Sequence, residues 1–196
     1  MDKLEVAFKF FDDYNRQDPR SFKCDGAAYP QEYFFAIKLY EWVLKLDPKA
    51  PEELLLASRS QHIGRWEIPR ESYPDGREAY LKWRKDLAGH HVEIANRLMK
   101  QAGYADKQAE RVTQIILKKR IKADADVQTM ENALCLVFLQ YQYEDFRKKY
   151  EAEPEKIINI LRKSLLKMDA YGHGFALELG FTKNGVGFIQ AALKAL

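Results

Sequence analysis

Apolar positions along the chain recur at helical spacing and do not alternate over any long stretch. Leu4, Phe8 and Phe11 are spaced to share one face, which predicts a first helix near residues 2–16. Asp18-Pro19 and Gly26 mark an irregular stretch after it. Pro30 is suited to start a second helix, because its missing N–H would go unpaired in a first turn anyway. Tyr33, Ile37, Tyr40 and Leu44 supply that helix's inward stripe, and Asp47-Pro48 ends it. Pro51 opens a third helix, with Glu52 and Glu53 where the helix dipole favours negative charge. It carries Leu54, Leu55, Ala57 and Ser58 towards His62 and stops near Gly64. A connection with Pro69 and Pro74 leads into a long helix from about Asp75 to Gln101, striped by Tyr80, Trp83, Leu87, Ile94 and Leu98 and ended by Gly103. Further helices are predicted over 106–122, from Asp126 through Leu139 towards Phe146, from Pro154 onward, and near 185–195. The segment through Leu139 is apolar on most sides and is expected to be the most buried. Tyr171-Gly172-His173-Gly174 reads as a helix-breaking turn, with His173 at the surface or capping.

These elements predict an all-α, single-domain multi-helix bundle over residues 1–196, with a core from about 4 to 178 and a C-terminal helical extension over 184–195. No internal repeat or low-complexity segment interrupts it. A hydrophobic content of 46% supports a packed core and excludes disorder. Thirty-two basic against 29 acidic residues leave a net charge of +3, too balanced to force nucleic-acid or membrane binding by charge alone. The pI near 8.7 is mild and no recognised nucleic-acid motif is present, so a nucleic-acid partner is not expected. The longest uncharged run, Asn132 to Tyr143, is 12 residues, short of the roughly 18 that suggest a membrane span. Met1-Asp2-Lys3-Leu4-Glu5 lacks the basic-then-apolar signal pattern, so a cytoplasmic protein is expected. Cys24 and Cys135 form no metal or redox motif, and Cys135, in an apolar run, reads as a small core residue.

Polar groups within the apolar helices are the candidates for chemistry. Arg59 stands three residues before His62, so a guanidinium and an imidazole share a helix face. The plainer reading of His62 is a core-edge imidazole bonded to a backbone carbonyl. His91 is four residues after Leu87 and three before Ile94, on or beside the buried stripe, while His90 flanks the other side. A buried neutral imidazole needs a hydrogen-bond partner or a metal. Glu131 and Asn132 open the most apolar helix and Glu32 sits in a first turn, places where polar groups also serve as caps or dipole partners. Arg59, Arg65, Arg70, Arg77, Arg84 and Lys85 are interleaved with Trp66, Tyr73, Tyr80 and Trp83, a combination suited to a phosphate carrying a planar base and equally to a solvated face with aromatic anchors.

Gln61-His62-Ile63-Gly64-Arg65-Trp66-Glu67-Ile68-Pro69-Arg70, then Tyr73-Pro74, Tyr80-Leu81, Trp83-Arg84 and His91, resemble the family called domain of unknown function 4202. So do Gln128-Thr129-Met130-Glu131-Asn132-Ala133, the run Cys135 to Leu139, Asp145-Phe146 and the Lys163 to Met168 region, so that the likeness covers about residues 4–178. More distantly, Gln61-His62-Ile63-Gly64 is similar to the His-Asp-Ile-Gly segment of the HD-domain phosphohydrolases, all-α proteins that bind a divalent metal through a His, a His-Asp pair and a later Asp. In that register Gln61 falls on the His and His62 on the Asp, His91 resembles an additional metal-binding His, and Asn132 takes the place of the late Asp. No His-Asp dipeptide occurs in this chain.

Two functions follow as expectations. One is a metal-dependent phosphohydrolase with a rebuilt site: Glu32, His62, His91 and Glu131 as ligands, Asn132 beside them or as a neutral ligand, and Mn, Fe, Zn or Mg as the only cofactor. Arg59, Arg65 or Arg84 would bind the phosphate. The other is a binding or regulatory module for a phosphorylated small molecule or an acidic partner, in which the same residues form a network such as His62 to Glu131 and His91 to Glu32.

Overall fold

The structure is a computed structural model that describes residues 2–194. Within them lie ten α-helices and one two-stranded hairpin, an all-α multi-helix architecture. The chain gathers into two compact units, residues 1–119 and 120–196.

In the first unit, α1 (Lys3–Asn15) opens with a capping box. The Asp2 carboxylate accepts from the Glu5 N–H at 2.8 Å, and the Glu5 carboxylate accepts from the Asp2 N–H at 2.9 Å. The stretch expected to be irregular is instead an antiparallel hairpin, β1 (Ser21–Cys24) and β2 (Ala27–Pro30). Its turn is Asp25-Gly26, both at positive φ (50° and 79°), the backbone that a two-residue hairpin loop requires. There follow α2 (Gln31–Leu46), α3 (Glu52–Ser60), short 3-10 turns at Arg65–Glu67 and Arg70–Ser72, α4 (Arg77–Gln101) and α5 (Asp106–Ile116). Helix α5 stops six residues before its expected end because Lys118, Arg120 and Lys122 all take positive φ, leaving helical geometry without a glycine to signal it. Helix α3 packs against α1, α2 and α5, and α4 against α1 and α5. Phe11, Leu54, Leu56, Ile63, Met99 and Ile115 are fully enclosed at this unit's core.

In the second unit, α6 (Ala125–Tyr141) is capped by Asp124, whose carboxylate accepts from the Asp126 and Val127 N–H groups. Ten residues of α6 are buried, as its nearly all-round apolar surface requires. Glu131 and Asn132 lie well inside this helix rather than at its mouth. The helix ends at Gln142, where φ −122° breaks the run expected to reach Phe146, and α7 (Tyr143–Lys149) starts afresh. Then come α8 (Pro154–Leu165), α9 (Ala170–Glu178) and α10 (Lys183–Lys194). Ala195, placed by the sequence in the last helix, lies outside the described residues. Tyr171-Gly172-His173-Gly174 is not a turn but the first part of α9. The helix survives its glycines because Asp169 caps it, accepting from the Gly172 N–H at 2.9 Å, and because Gly172 lets α6 approach. A Cβ at Gly172 would stand 2.6 Å from Asn132 Cγ. His173 ties inward through Nε2, 2.8 Å from the Leu165 carbonyl. Met130, Leu136, Leu139, Tyr143, Ile157 and Leu161 form this unit's enclosed core, and Cys135 is buried beside it. Among the described residues, no helix is long and apolar enough to cross a membrane.

Candidate functional site

The start of α2 is held by charge. Asp18 accepts from the Glu32 N–H at 3.0 Å and from the Arg20 guanidinium at 2.9 and 3.0 Å. Arg20 Nη2 also donates to Glu32 Oε1 at 2.8 Å, and Arg65 Nε stands 4.0 Å from the same oxygen. Glu32 is 3% exposed. Burial raises its carboxyl pKa, against the pull of Arg65 and Arg20.

The C-terminal end of α3 supplies the facing groups. Gln61 Nε2 donates to the Ile116 carbonyl at 3.1 Å, and Asn15 Nδ2, at the end of α1, donates to the Arg59 carbonyl at 3.4 Å. These bonds fix both amides and leave Asn15 Oδ1 and Gln61 Oε1 buried without a protein partner. Asn15, Glu32, Ser58, Gln61 and His62 line one small cavity of about 10 Å³, otherwise walled by apolar side chains. That volume admits a single water, and two orphaned acceptors beside a carboxylate and an imidazole give such a water enough partners.

His62 is partly buried and lines this cavity. The carbonyl bond that the sequence offered to His62 is made by His91 instead. His91 is 3% exposed, and its Nδ1–H donates to the Ile63 carbonyl at 2.6 Å, which places the bare lone pair on Nε2. That Nε2 is buried without a partner, so the expected His91–Glu32 contact is not formed. The two imidazoles meet edge to face, 5.9 Å apart. Burial holds the His62 pKa well below 6.5, helped by the positive charges of Arg65, Lys118 and Arg84 and by the proximity of His91. Burial lowers His91 to about 4, with the Ile63 bond opposing and Arg65 and His90 assisting. Both rings are therefore neutral at pH 7.

The arginines divide. Arg59 is 8% exposed and committed to Asp12 of α1, with its guanidinium 5.0 and 5.2 Å from the Phe8 and Tyr40 rings. Arg65 has a third of its side chain exposed and lies 5.7 Å from the Trp83 ring centre. Arg84 is exposed and lies 5.9 Å from that of Tyr80. The turn carrying Arg65 is fastened by Glu67, which accepts from Tyr14 OH at 2.7 Å and meets His90 Nε2 at 2.7 Å. Its entry, Gly64, has φ +70°, and a Cβ there would stand 2.4 Å from Ile94 Cδ1. Asn15, Arg20, Glu67 and Lys118 are the site residues that sequence reasoning did not single out; of these only Glu67, inside the Gln61 to Arg70 motif, carried a signal.

In the second unit, Asn132 Nδ2 donates to Asp169 Oδ1 at 2.9 Å, while its Oδ1 accepts from Gln128 Nε2 at 3.1 Å and the Asp169 N–H at 3.2 Å. The carboxamide thus braces the cap of α9. Glu131 is 1% exposed within α6. Among the described residues, no three His, Cys, Asp or Glu side chains come together as a group able to hold a metal.

Residues 5–189 match the family model described as Domain of unknown function (DUF4202). The chain belongs to this family. No curated protein and no solved structure matches it. The DUF4202 match takes in both units and all the site residues named above.

Proposed function

We propose that residues 1–119 carry a binding site for a phosphorylated small molecule, its phosphate held by Arg65 and Arg84 over the neutral ring of His62. The observation that carries this reading is the set of cations around His62: Arg65, Lys118 and Arg84 all lower its pKa, and the Arg65 and Arg84 side chains reach solvent. Their field stabilises a dianionic oxygen group, and guanidinium forks match its geometry. Arg59 has no part in it, since Asp12 already neutralises it. Titration calorimetry with inorganic pyrophosphate tests the reading. Binding should weaken at least tenfold in R65A/R84A and should shift the His62 ring resonances. No binding, or binding indifferent to the double substitution, refutes it.

A divalent-metal phosphohydrolase, as the distant HD likeness implies, is the second reading. It draws on His91, whose Nδ1–H is held by a carbonyl while Nε2 stays bare, the arrangement of a metal-ligating imidazole. Glu32 and His62 would be its further donors, and Mn, Fe, Zn or Mg would supply a polarised water there. Two facts weigh against it: Arg20 and Arg65 already attend Glu32 Oε1, and the charges around His62 repel a cation. Bound metal in protein purified without chelator, lost in H62A and H91A, would restore it. We also infer a cytoplasmic setting, supported by Cys24 and Cys135 forming no disulfide.

A further inference from the structure

The aromatic strip on α4 says what kind of phosphate compound fits. Tyr80, Trp83 and Arg84 stand at i, i+3 and i+4 and share one face of the helix. Trp83 is buried and pinned, its Nε1–H donating to the Ile68 carbonyl at 3.0 Å. Tyr80 is 42% exposed, with its ring centre 5.8 Å from that of Trp83. The Arg84 guanidinium lies 5.9 Å from the Tyr80 ring, and its charge reaches His62. Arg65 sits against Trp83 at 5.7 Å and also acts on His62. Of the carboxylates beside these groups, Asp86 is answered by Lys82 and by Tyr73 OH, which commits Tyr73, and Glu32, 4.0 Å from Arg65, is answered by Arg20. The surface therefore presents two guanidiniums and an exposed phenol ring, the latter 5.9 Å from the Arg84 guanidinium. A phosphate joined to a flat heteroaromatic ring matches that pairing.

We propose that the phosphorylated ligand is a nucleotide whose base stacks on Tyr80 while its phosphate engages Arg65 and Arg84. The inference rests on the phosphate-site reading and adds the aromatic half of the ligand. Stacking of one base on an aromatic side chain is worth about a tenfold gain in affinity. Titration of the full chain with adenosine 5′-monophosphate and with ribose 5-phosphate separates the two claims. The nucleotide should bind about tenfold more tightly than the sugar phosphate. Y80A should bring the nucleotide down to the sugar phosphate's affinity, and Y80W should restore the gap. Tyr80 is exposed enough that Y80A should keep the parent melting temperature, which is checked first. Equal affinities in the unaltered chain, or a gap that survives Y80A, overturn the nucleotide assignment while leaving the phosphate site standing. Failure of both compounds to bind at millimolar concentration overturns both.

Discussion

Acidifying the protein forces a proton onto His91, and the cost of that proton sets a measurable slope in stability. The ring is 3% exposed, bonded through Nδ1 to the Ile63 carbonyl, with its pKa lowered from 6.5 to about 4. Between those values the unfolded chain holds the proton and the folded chain does not. Stability therefore rises with pH, is fully present above 6.5, and is lost as pH falls towards 4. At about 1.4 kcal/mol for each tenfold change in proton affinity, the loss is about 3 kcal/mol. His62 acts in the same direction, since its pKa is also depressed. Glu32 acts oppositely: its raised pKa makes the folded state bind the proton first, so its contribution falls as pH climbs above the ordinary 4.5. Urea unfolding between about pH 7 and pH 4, on the parent and on H91Q, isolates the His91 share. The glutamine keeps a donor for Ile63 but cannot titrate, and the His62 and Glu32 contributions largely cancel between the two proteins. The parent should lose about 3 kcal/mol more than H91Q over that range. Parallel pH profiles, or an NMR titration placing the His91 ring near 6.5, would refute the reasoning.

Three further outcomes are expected. R59A should cost about 3 kcal/mol in chemical denaturation, because it strands Asp12, whose side chain is only 13% exposed, and D12L/R59M should recover most of that loss; a cost under about 1 kcal/mol for R59A would mean the pair is solvated. G64A should lower stability by about 1–3 kcal/mol, since it strains a left-handed backbone and meets Ile94, and thermal unfolding unchanged from the parent would contradict that geometry. Y143F removes the bond from a fully enclosed phenol to the Gly185 carbonyl at 2.9 Å, and should cost about 1 kcal/mol, with faster amide exchange in α10; exchange left unaltered would show that the bond does not hold that helix.

Helices are legible in this chain because their ends are marked by proline, aspartate and glycine, as at Pro51 and Gly103, but their faces are read less well: on α2 the expected inward stripe, Tyr33, Ile37, Tyr40 and Leu44, is only half-buried, and Phe34, Phe35, Leu39 and Trp42 take the core instead. What hides from the sequence is short or unmarked. Four-residue strands cannot show alternation, so the hairpin is announced by Asp25-Gly26 alone, and α5 ends on lysine and arginine at positive φ. The site is legible in the same uneven way. Glu32 and His62 border one cavity, but the amides completing it, Asn15 and Gln61, stand at helix ends where such residues read as caps. Arg59 looked like a phosphate ligand because its partner Asp12 is 47 residues away and invisible to local spacing. Burying a polar group is costly unless it is paired or used, and the structure separates those cases residue by residue. Arg59 is paired with Asp12, Glu32 with Arg20, and Asn132 with Asp169 and Gln128. In the first unit, outside the Asp12–Arg59 pair, the orphaned atoms are Asn15 Oδ1, Gln61 Oε1 and His91 Nε2. The first two residues line the cavity with His62, and the third packs its ring against His62. The unpaired buried polar atoms of this unit thus collect beside His62, which is where a ligand has something to supply.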